Sequence, residues 1–213
     1  IKSLKGIYLN NKNQITIGAL NTHNEIAESK VIKQHIKGLT YLASNIADNA
    51  VRNLGTIGGS ICNSDPAADY PSALLSLNAS VLTNKRTISA KNFFIDMFET
   101  TLADDEIVIS ISFPIVKKSY YLKFASQASK YAIVGIFGSY NNGLIKLAIT
   151  GAANKVFSIK ELEGFTPQQV LELNLDQLNF KNYYINSDIH ASSEYRIALI
   201  KNMIKNISNY ITR

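Results

Sequence analysis

The stretch from Tyr120 to Thr150 limits the possible folds more than any other. Three extended runs follow one another there: Tyr120 to Ala125, Ala132 to Tyr140 and Leu144 to Thr150. Asn141-Asn142-Gly143 joins the last two. An Asn-Gly step between apolar runs marks a tight hairpin, because such turns need positive φ at both central residues. A three-stranded antiparallel sheet is therefore expected. After Gly151 the pattern becomes helical, over Ile159 to Gly164 and Pro167 to Leu173. A closing helix is predicted from Ser192 to Ile211, with Tyr195, Leu199, Met203, Ile204 and Ile207 on its buried face.

Upstream, Gln14 to Leu20 alternates as a half-buried strand does, and Thr22-His23-Asn24-Glu25 has the spacing of a capping box. His23, at a helix start, reads as a surface residue. From His35 to Ala50 the apolar positions recur every three or four residues, which predicts one amphipathic helix running into Arg52. Ser80 to Thr83 and Thr87 to Ser89 read as paired strands around the Asn84-Lys85-Arg86 turn. Phe93, Phe94, Met97 and Phe98 read as a core patch, and Asp104-Asp105-Glu106 as a solvated acidic turn. Ile107, Ile109, Ile111 and Phe113 alternate strictly and predict a strand ending at Pro114. The basic link from Pro114 to Lys118 is the best boundary, dividing the chain into residues 1–114 and 115–213. The fold class is α+β.

The chemistry is concentrated between Arg52 and Leu77. A double glycine, Gly58-Gly59, lies in the run Thr56-Ile57-Gly58-Gly59-Ser60-Ile61, followed by Asn63, Ser64, Asp65-Pro66 and Asp69. Adjacent glycines let a backbone turn at positive φ and approach a ligand closely. Exposed N–H groups with flanking hydroxyls suit phosphate oxygens, and a nearby acid suits a sugar or ribityl hydroxyl. The bland alternative is a glycine turn before a helix capped by Asp69. Neither G-x-G-x-x-G nor G-x-x-x-x-G-K-[ST] occurs, which counts against a Rossmann or P-loop site.

Composition narrows the function classes. One cysteine, Cys62, and three scattered histidines make neither a disulfide framework nor a metal cluster. No run of membrane length and no signal peptide is visible, so a cytoplasmic setting is the default. The net charge of +6 comes from 22 basic residues spread thinly along the chain, a solvated surface rather than a nucleic-acid footprint.

Val51-Arg52-Asn53-Leu54-Gly55-Thr56-Ile57-Gly58-Gly59-Ser60, followed by Asp65-Pro66-Ala67-Ala68-Asp69, resembles the flavin-binding signature of molybdenum hydroxylases. That family includes carbon monoxide dehydrogenase medium subunits and xanthine dehydrogenase FAD domains. Ile17 to His23, Thr100 to Pro114, Lys123 to Ala132 and Ser193 to Arg196 resemble further family segments, so the similarity spans nearly the whole chain. It implies an FAD-binding domain of the vanillyl-alcohol-oxidase (PCMH) type, followed by a carboxy-terminal sheet with a helical bundle.

The resemblance also implies roles. Thr56, Gly58, Gly59 and Ser60 match the loop at the FAD diphosphate, with Ser60 replacing a more usual Asn. Ile46 and Gly55 match positions near the adenine, and Asp69 an acid on the flavin's hydroxylated chain. Leu102 and Lys123 match flavin contacts, and Tyr131 a tyrosine beside the isoalloxazine. The implied holoenzyme has a molybdopterin large subunit and a small subunit with [2Fe-2S] clusters. FAD would pass electrons from those clusters to an external acceptor. The resemblance implies a further leading segment of about 50 residues with a second glycine-rich loop, and no such loop is read within residues 1–213. The expectation is weak or absent FAD binding by this chain alone, restored by a separate amino-terminal piece. Two alternatives stand beside this: a self-contained FAD oxidase, for which no substrate domain or catalytic base is visible, and a non-flavin scaffold that kept the fold.

Overall fold

The computed structural model describes residues 1–212. The chain opens with strands β1 (Ile7–Leu9) and β2 (Gln14–Gly18). Six short helices follow: α1 (His23–Glu28), α2 (Lys30–His35), α3 (Lys37–Ser44), α4 (Asn49–Leu54), α5 (Ile57–Asn63) and α6 (Tyr70–Ser76). Next come β3 (Ser80–Thr83), β4 (Thr87–Ser89), the small pair β5 (Phe94–Asp96) and β6 (Glu99–Thr100), and β7 (Val108–Pro114). The last part holds β8 (Lys118–Ala125), β9 (Ala132–Asn141), β10 (Leu144–Thr150) and β11 (Phe157–Ser158), then α7 (Pro167–Glu172) and α8 (Ser193–Thr212).

Two antiparallel sheets organise these elements. The first runs β1-β2-β7-β3-β4, with Ile15 opposite Phe113 and Ile17 opposite Ile111. The second runs β11-β10-β9-β8, so it has four strands where the sequence predicts three. The added strand is two residues long, too short to show a periodicity. Asn142 and Gly143 both take positive φ in the β9–β10 turn, as the Asn-Gly step requires.

Alternation along β9 and β10 sends side chains to both faces of the second sheet. Val134, Ile136, Ile145 and Ile149 meet α7 and α8, whereas Phe137 and Ala148 join the core under the first sheet. Tyr121 of β8 joins that first core too, with Ile17, Leu39, Ile61, Leu74 and Phe113. Helix α3 packs on β8 and helix α6 on β9 and β10 of the second sheet.

Several sequence expectations change. The single helix over residues 35–50 is two, α3 and α4. Ala47 sits at φ 42 between them, the Asp48 side chain caps α4 at the Val51 amide (2.9 Å), and the Arg52 guanidinium donates to the carbonyls of Ile46 and Ala47. Gly58 and Gly59 are helical residues of α5 and not a positive-φ turn. Ile107 precedes β7 and is exposed, whereas Val108 at the start of β7 is buried, with the β3 pairing shifting register at Thr83. Phe93 and Phe94 are core, but Met97 and Phe98 form the exposed tip of the β5–β6 hairpin. Glu106 is withdrawn from the acidic turn and accepts from Thr83 and Arg86. On α8 the inward face is Arg196, Ile200, Met203, Ile204 and Ile207, leaving Tyr195 exposed and Leu199 half-buried. Among the described residues no helix is long and apolar enough to cross a membrane.

Candidate functional site

A cavity of about 550 Å³ opens where the α3–α4 break, the start of α5, the Asp65–Asp69 loop and the turn before β9 converge. Local pairing fixes its first wall. Thr22 caps α1 through a complete capping box with Glu25, and Thr56 caps α5, its hydroxyl accepting from the Gly59 amide (3.1 Å). These two helix starts are laced as an antiparallel bridge, with His23 N–H donating to Gly55 O and Ile57 N–H to Asn21 O. The lacing presses the His23 imidazole against Gly55, where an added Cβ would sit 2.7 Å from Nε2.

Most backbone donors of residues 55–60 are already used. Gly55 N–H reaches Val51 O, Gly58 N–H reaches Ala19 O, and Ser60 N–H reaches Thr56 O. The expected set of free amides around the double glycine is therefore absent. The donors left toward the cavity come from Thr56 and Ser60 side chains, with the Thr56 amide, which makes no hydrogen bond among the described residues. Gly58 has a packing role: a Cβ there would lie 2.7 Å from Ala19 Cβ and Ala19 O, so only glycine lets α5 lie on the end of β2.

The opposite wall is the Asp65–Asp69 loop, held from the second sheet. Pro66 O accepts from the Gly151 amide (2.8 Å) and lies 3.0 Å from Thr150 Oγ1. Ala67 O accepts from the Ala132 amide and Ala68 O from Thr150 Oγ1 (2.6 Å). This delivers Asp69 to the cavity at the start of α6. Its carboxylate does not cap the helix; it accepts from the Tyr121 hydroxyl and from Lys123 Nζ (3.2 Å). Burial pushes the Asp69 carboxyl up, against the pull of Lys123 and Tyr121. Burial and the neighbouring Asp69 also hold Tyr70 and Tyr121 well above the usual phenol range, so both remain O–H donors.

Lys123 ties three pieces of wall together. Besides Asp69, its ammonium donates to Asn45 O at the end of α3 (2.7 Å) and to Lys130 O (3.0 Å). Lys130 takes positive φ and is followed by Tyr131, whose ring is half exposed at the cavity mouth.

Of the ten residues singled out by resemblance, Ile46, Gly55, Thr56, Gly59, Ser60, Asp69 and Tyr131 line this one cavity. Gly58 lies behind it in the α5–β2 contact, Leu102 packs on the first core, and Lys123 sits in the wall behind Asp69. The cavity also takes in His23, Asn63, Asp65 and Lys130. The expectation of a surface His23 fails: it is 5% exposed, with Nδ1 3.2 Å from the Tyr70 hydroxyl. Its burial and the nearby Arg52 charge lower its pKa to about 4, so the ring is neutral near pH 7.

Residues 1–116 match the family described as the FAD binding domain in molybdopterin dehydrogenase. The glyceraldehyde dehydrogenase medium chain of Sulfolobus acidocaldarius is 32% identical over 204 residues, which is 89% of this chain and 73% of that protein. The xanthine dehydrogenase FAD-binding subunit of Escherichia coli O157:H7 is 26% identical over 227 residues, 97% of this chain and 77% of its own. In the solved carbon monoxide dehydrogenase of Hydrogenophaga pseudoflava, a chain with 25% identity superposes with a TM-score of 0.84, covering 98% of this chain and 78% of its own. The antiparallel α+β architecture is that of the PCMH-type FAD subunits, as the sequence implied. The chain belongs to the FAD binding domain family of molybdopterin dehydrogenases, a family of oxidoreductases.

Proposed function

We propose that the cavity holds FAD and that the chain is the flavoprotein subunit of a molybdenum hydroxylase. One observation carries this reading: a single cavity collects the Thr56 and Ser60 hydroxyls, the Asp69 carboxylate and the Tyr131 ring. Hydroxyl donors suit phosphate oxygens, a carboxylate with an unused lone pair suits a ribityl hydroxyl, and an exposed aromatic suits a flat π-system. The donor set fits the group. Thr56, Gly59 and Ser60 would hold the diphosphate, Ile46 and Gly55 would pack near the adenine, and Asp69 would receive the hydroxylated chain. Gly58 and Lys123 would act from behind these contacts, Tyr131 would border the flavin, and Leu102, packed on the first core, would contribute only from outside the cavity lining.

Bound flavin supplies one- and two-electron redox chemistry. This chain's part is to bind, orient and shield: Lys123 and Tyr121 hold the Asp69 carboxyl in place, and the Lys130 turn carries Tyr131. Partners of the proposed holoenzyme are a molybdopterin large subunit and an iron–sulfur small subunit with [2Fe-2S] clusters. Electrons would leave those clusters for an external acceptor by way of this subunit, in a cytoplasmic complex. Residues 1–114 would form the FAD-binding domain and residues 115–213 the carboxy-terminal domain, which lends Tyr121, Lys123 and Thr150 to the site.

The test is the flavin content of the native complex. Stoichiometric FAD, lost on Asp69→Ala together with acceptor reduction, is the expected result. A complete native complex without flavin would return the chain to the scaffold reading.

A further inference from the structure

We infer that His23 is a ligand-binding residue, presenting a fixed Nε2–H donor to a phosphate group in the cavity beside Thr56. The inference rests on the FAD reading for the identity of that phosphate, a diphosphate ester.

The tautomer follows from a hydrogen-bond count. The Tyr70 hydroxyl is 0% exposed, and its partner among the described residues is His23 Nδ1 at 3.2 Å. A buried O–H without an acceptor is costly, so the phenol donates and Nδ1 accepts. A neutral imidazole then carries its proton on Nε2. Burial and Arg52 keep the ring in that neutral form. Nε2 has no partner among the described residues, although the side chain is more than nine-tenths buried and lines the cavity. The donor lies against Gly55, where an added Cβ would sit 2.7 Å from it.

Its surroundings select the ligand. Thr56 and Ser60, which line the same cavity, add hydroxyl donors, and neither carries a carboxylate. The Arg52 guanidinium, fixed by the Ile46 and Ala47 carbonyls, adds a positive charge close enough to depress the imidazole. The cavity's acids lie on the other wall, where Asp69 is engaged by Lys123 and Tyr121, and Asp65 by the Ala67 amide. A cluster of donors beside a fixed cation suits an anion. Sequence alone gave no sign of this, because Tyr70, which fixes the tautomer, is 47 residues away.

Two substitutions separate binding from structure. In His23→Asn the amide oxygen can take the Nδ1 position and accept from Tyr70, while the donor is lost. In His23→Gln the amide nitrogen can take the Nε2 position, while the Tyr70 partner is lost. The flavin-stripped native complex is titrated with FAD, inorganic pyrophosphate and riboflavin, and thermal unfolding is recorded. His23→Asn should weaken FAD and pyrophosphate about tenfold or more and leave riboflavin and the melting temperature unchanged. His23→Gln should melt earlier but bind FAD to within about threefold of the wild type. Equal FAD binding by wild type and His23→Asn, or an equal loss of riboflavin, overturns the inference. If the wild type binds pyrophosphate through His23 but not FAD, the flavin reading falls and the phosphate site stands. Binding of neither overturns both.

Discussion

Lys123 and Asp69 meet 3.1 Å apart with both side chains 7% exposed, joining the second sheet to the start of α6 across the rear wall of the cavity. The same ammonium holds Asn45 O and Lys130 O, so one charge orders three segments. Breaking a buried pair leaves the remaining charge without compensation. Lys123→Met should therefore destabilise the protein by about 3–5 kcal/mol in denaturant unfolding. Amide exchange should quicken at residues 129–131 as well as around Asp69. An effect confined to Asp69 would show that the Lys130 contact contributes nothing.

Thr150 offers a milder probe of the opposite support. Its hydroxyl donates to Ala68 O and lies beside Pro66 O, in a fully buried position. Thr150→Val keeps the shape and leaves Ala68 O without its donor, a loss of about 1–3 kcal/mol. Thr150→Ser should recover most of it. If flavin affinity falls in Val and returns in Ser, the hydroxyl is positioning the Asp65–Asp69 loop.

The adjacent glycines should respond differently. At Gly58 a methyl would meet Ala19 at 2.7 Å, with backbone as well as side chain in the way. Gly58→Ala should cost about 1–3 kcal/mol through overpacking. At Gly59 the nearest atom is Thr56 Oγ1 at 3.2 Å, and the residue is exposed within a helix. Helix propensity favours alanine there by about 0.5–1 kcal/mol, so Gly59→Ala should fold as well as the wild type while crowding the cap hydroxyl and weakening flavin binding. Unfolding and flavin titration of the two variants check both halves.

Acid should weaken the fold in two steps. His23 has its folded pKa lowered to about 4, so as pH falls below 6.5 the unfolded chain takes up the proton first and stability drops. Arg52 and Tyr70 are the groups facing it. Glu106, held by Arg86, Thr83 and the Ala103 amide, is lowered to about 2. Its contribution is complete above 4.5 and is lost as pH falls toward 2. His23→Asn should flatten the first step and Glu106→Gln the second, in unfolding midpoints measured from pH 7 to pH 2.

What was legible in the sequence was local. The strands around Ile17, Ile111 and Ile136 announce themselves by alternation, and the Asn142-Gly143 turn and the Thr22 cap by side-chain chemistry acting within four residues. The break between α3 and α4 was hidden, because Arg52 caps it from the next helix. As sequence, the double glycine suggests freedom to turn, whereas Gly58 matters for the room it leaves Ala19. The roles of His23 and Thr150 are not legible for one reason: their partners lie 47 and more than 80 residues away, beyond any periodic signal.

The grip of Thr150, Gly151 and Ala132 on three successive carbonyls, Pro66 to Ala68, bears on how this site can be moved. A graft of residues 1–116 onto another scaffold would carry the whole family signature, yet leave every one of those donors behind. The transplanted acid would hang from an unanchored loop. For engineering, the smallest portable form of the proposed flavin pocket is therefore not a contiguous segment; it must include strands β8 to β10, which sequence matching to the signature would discard.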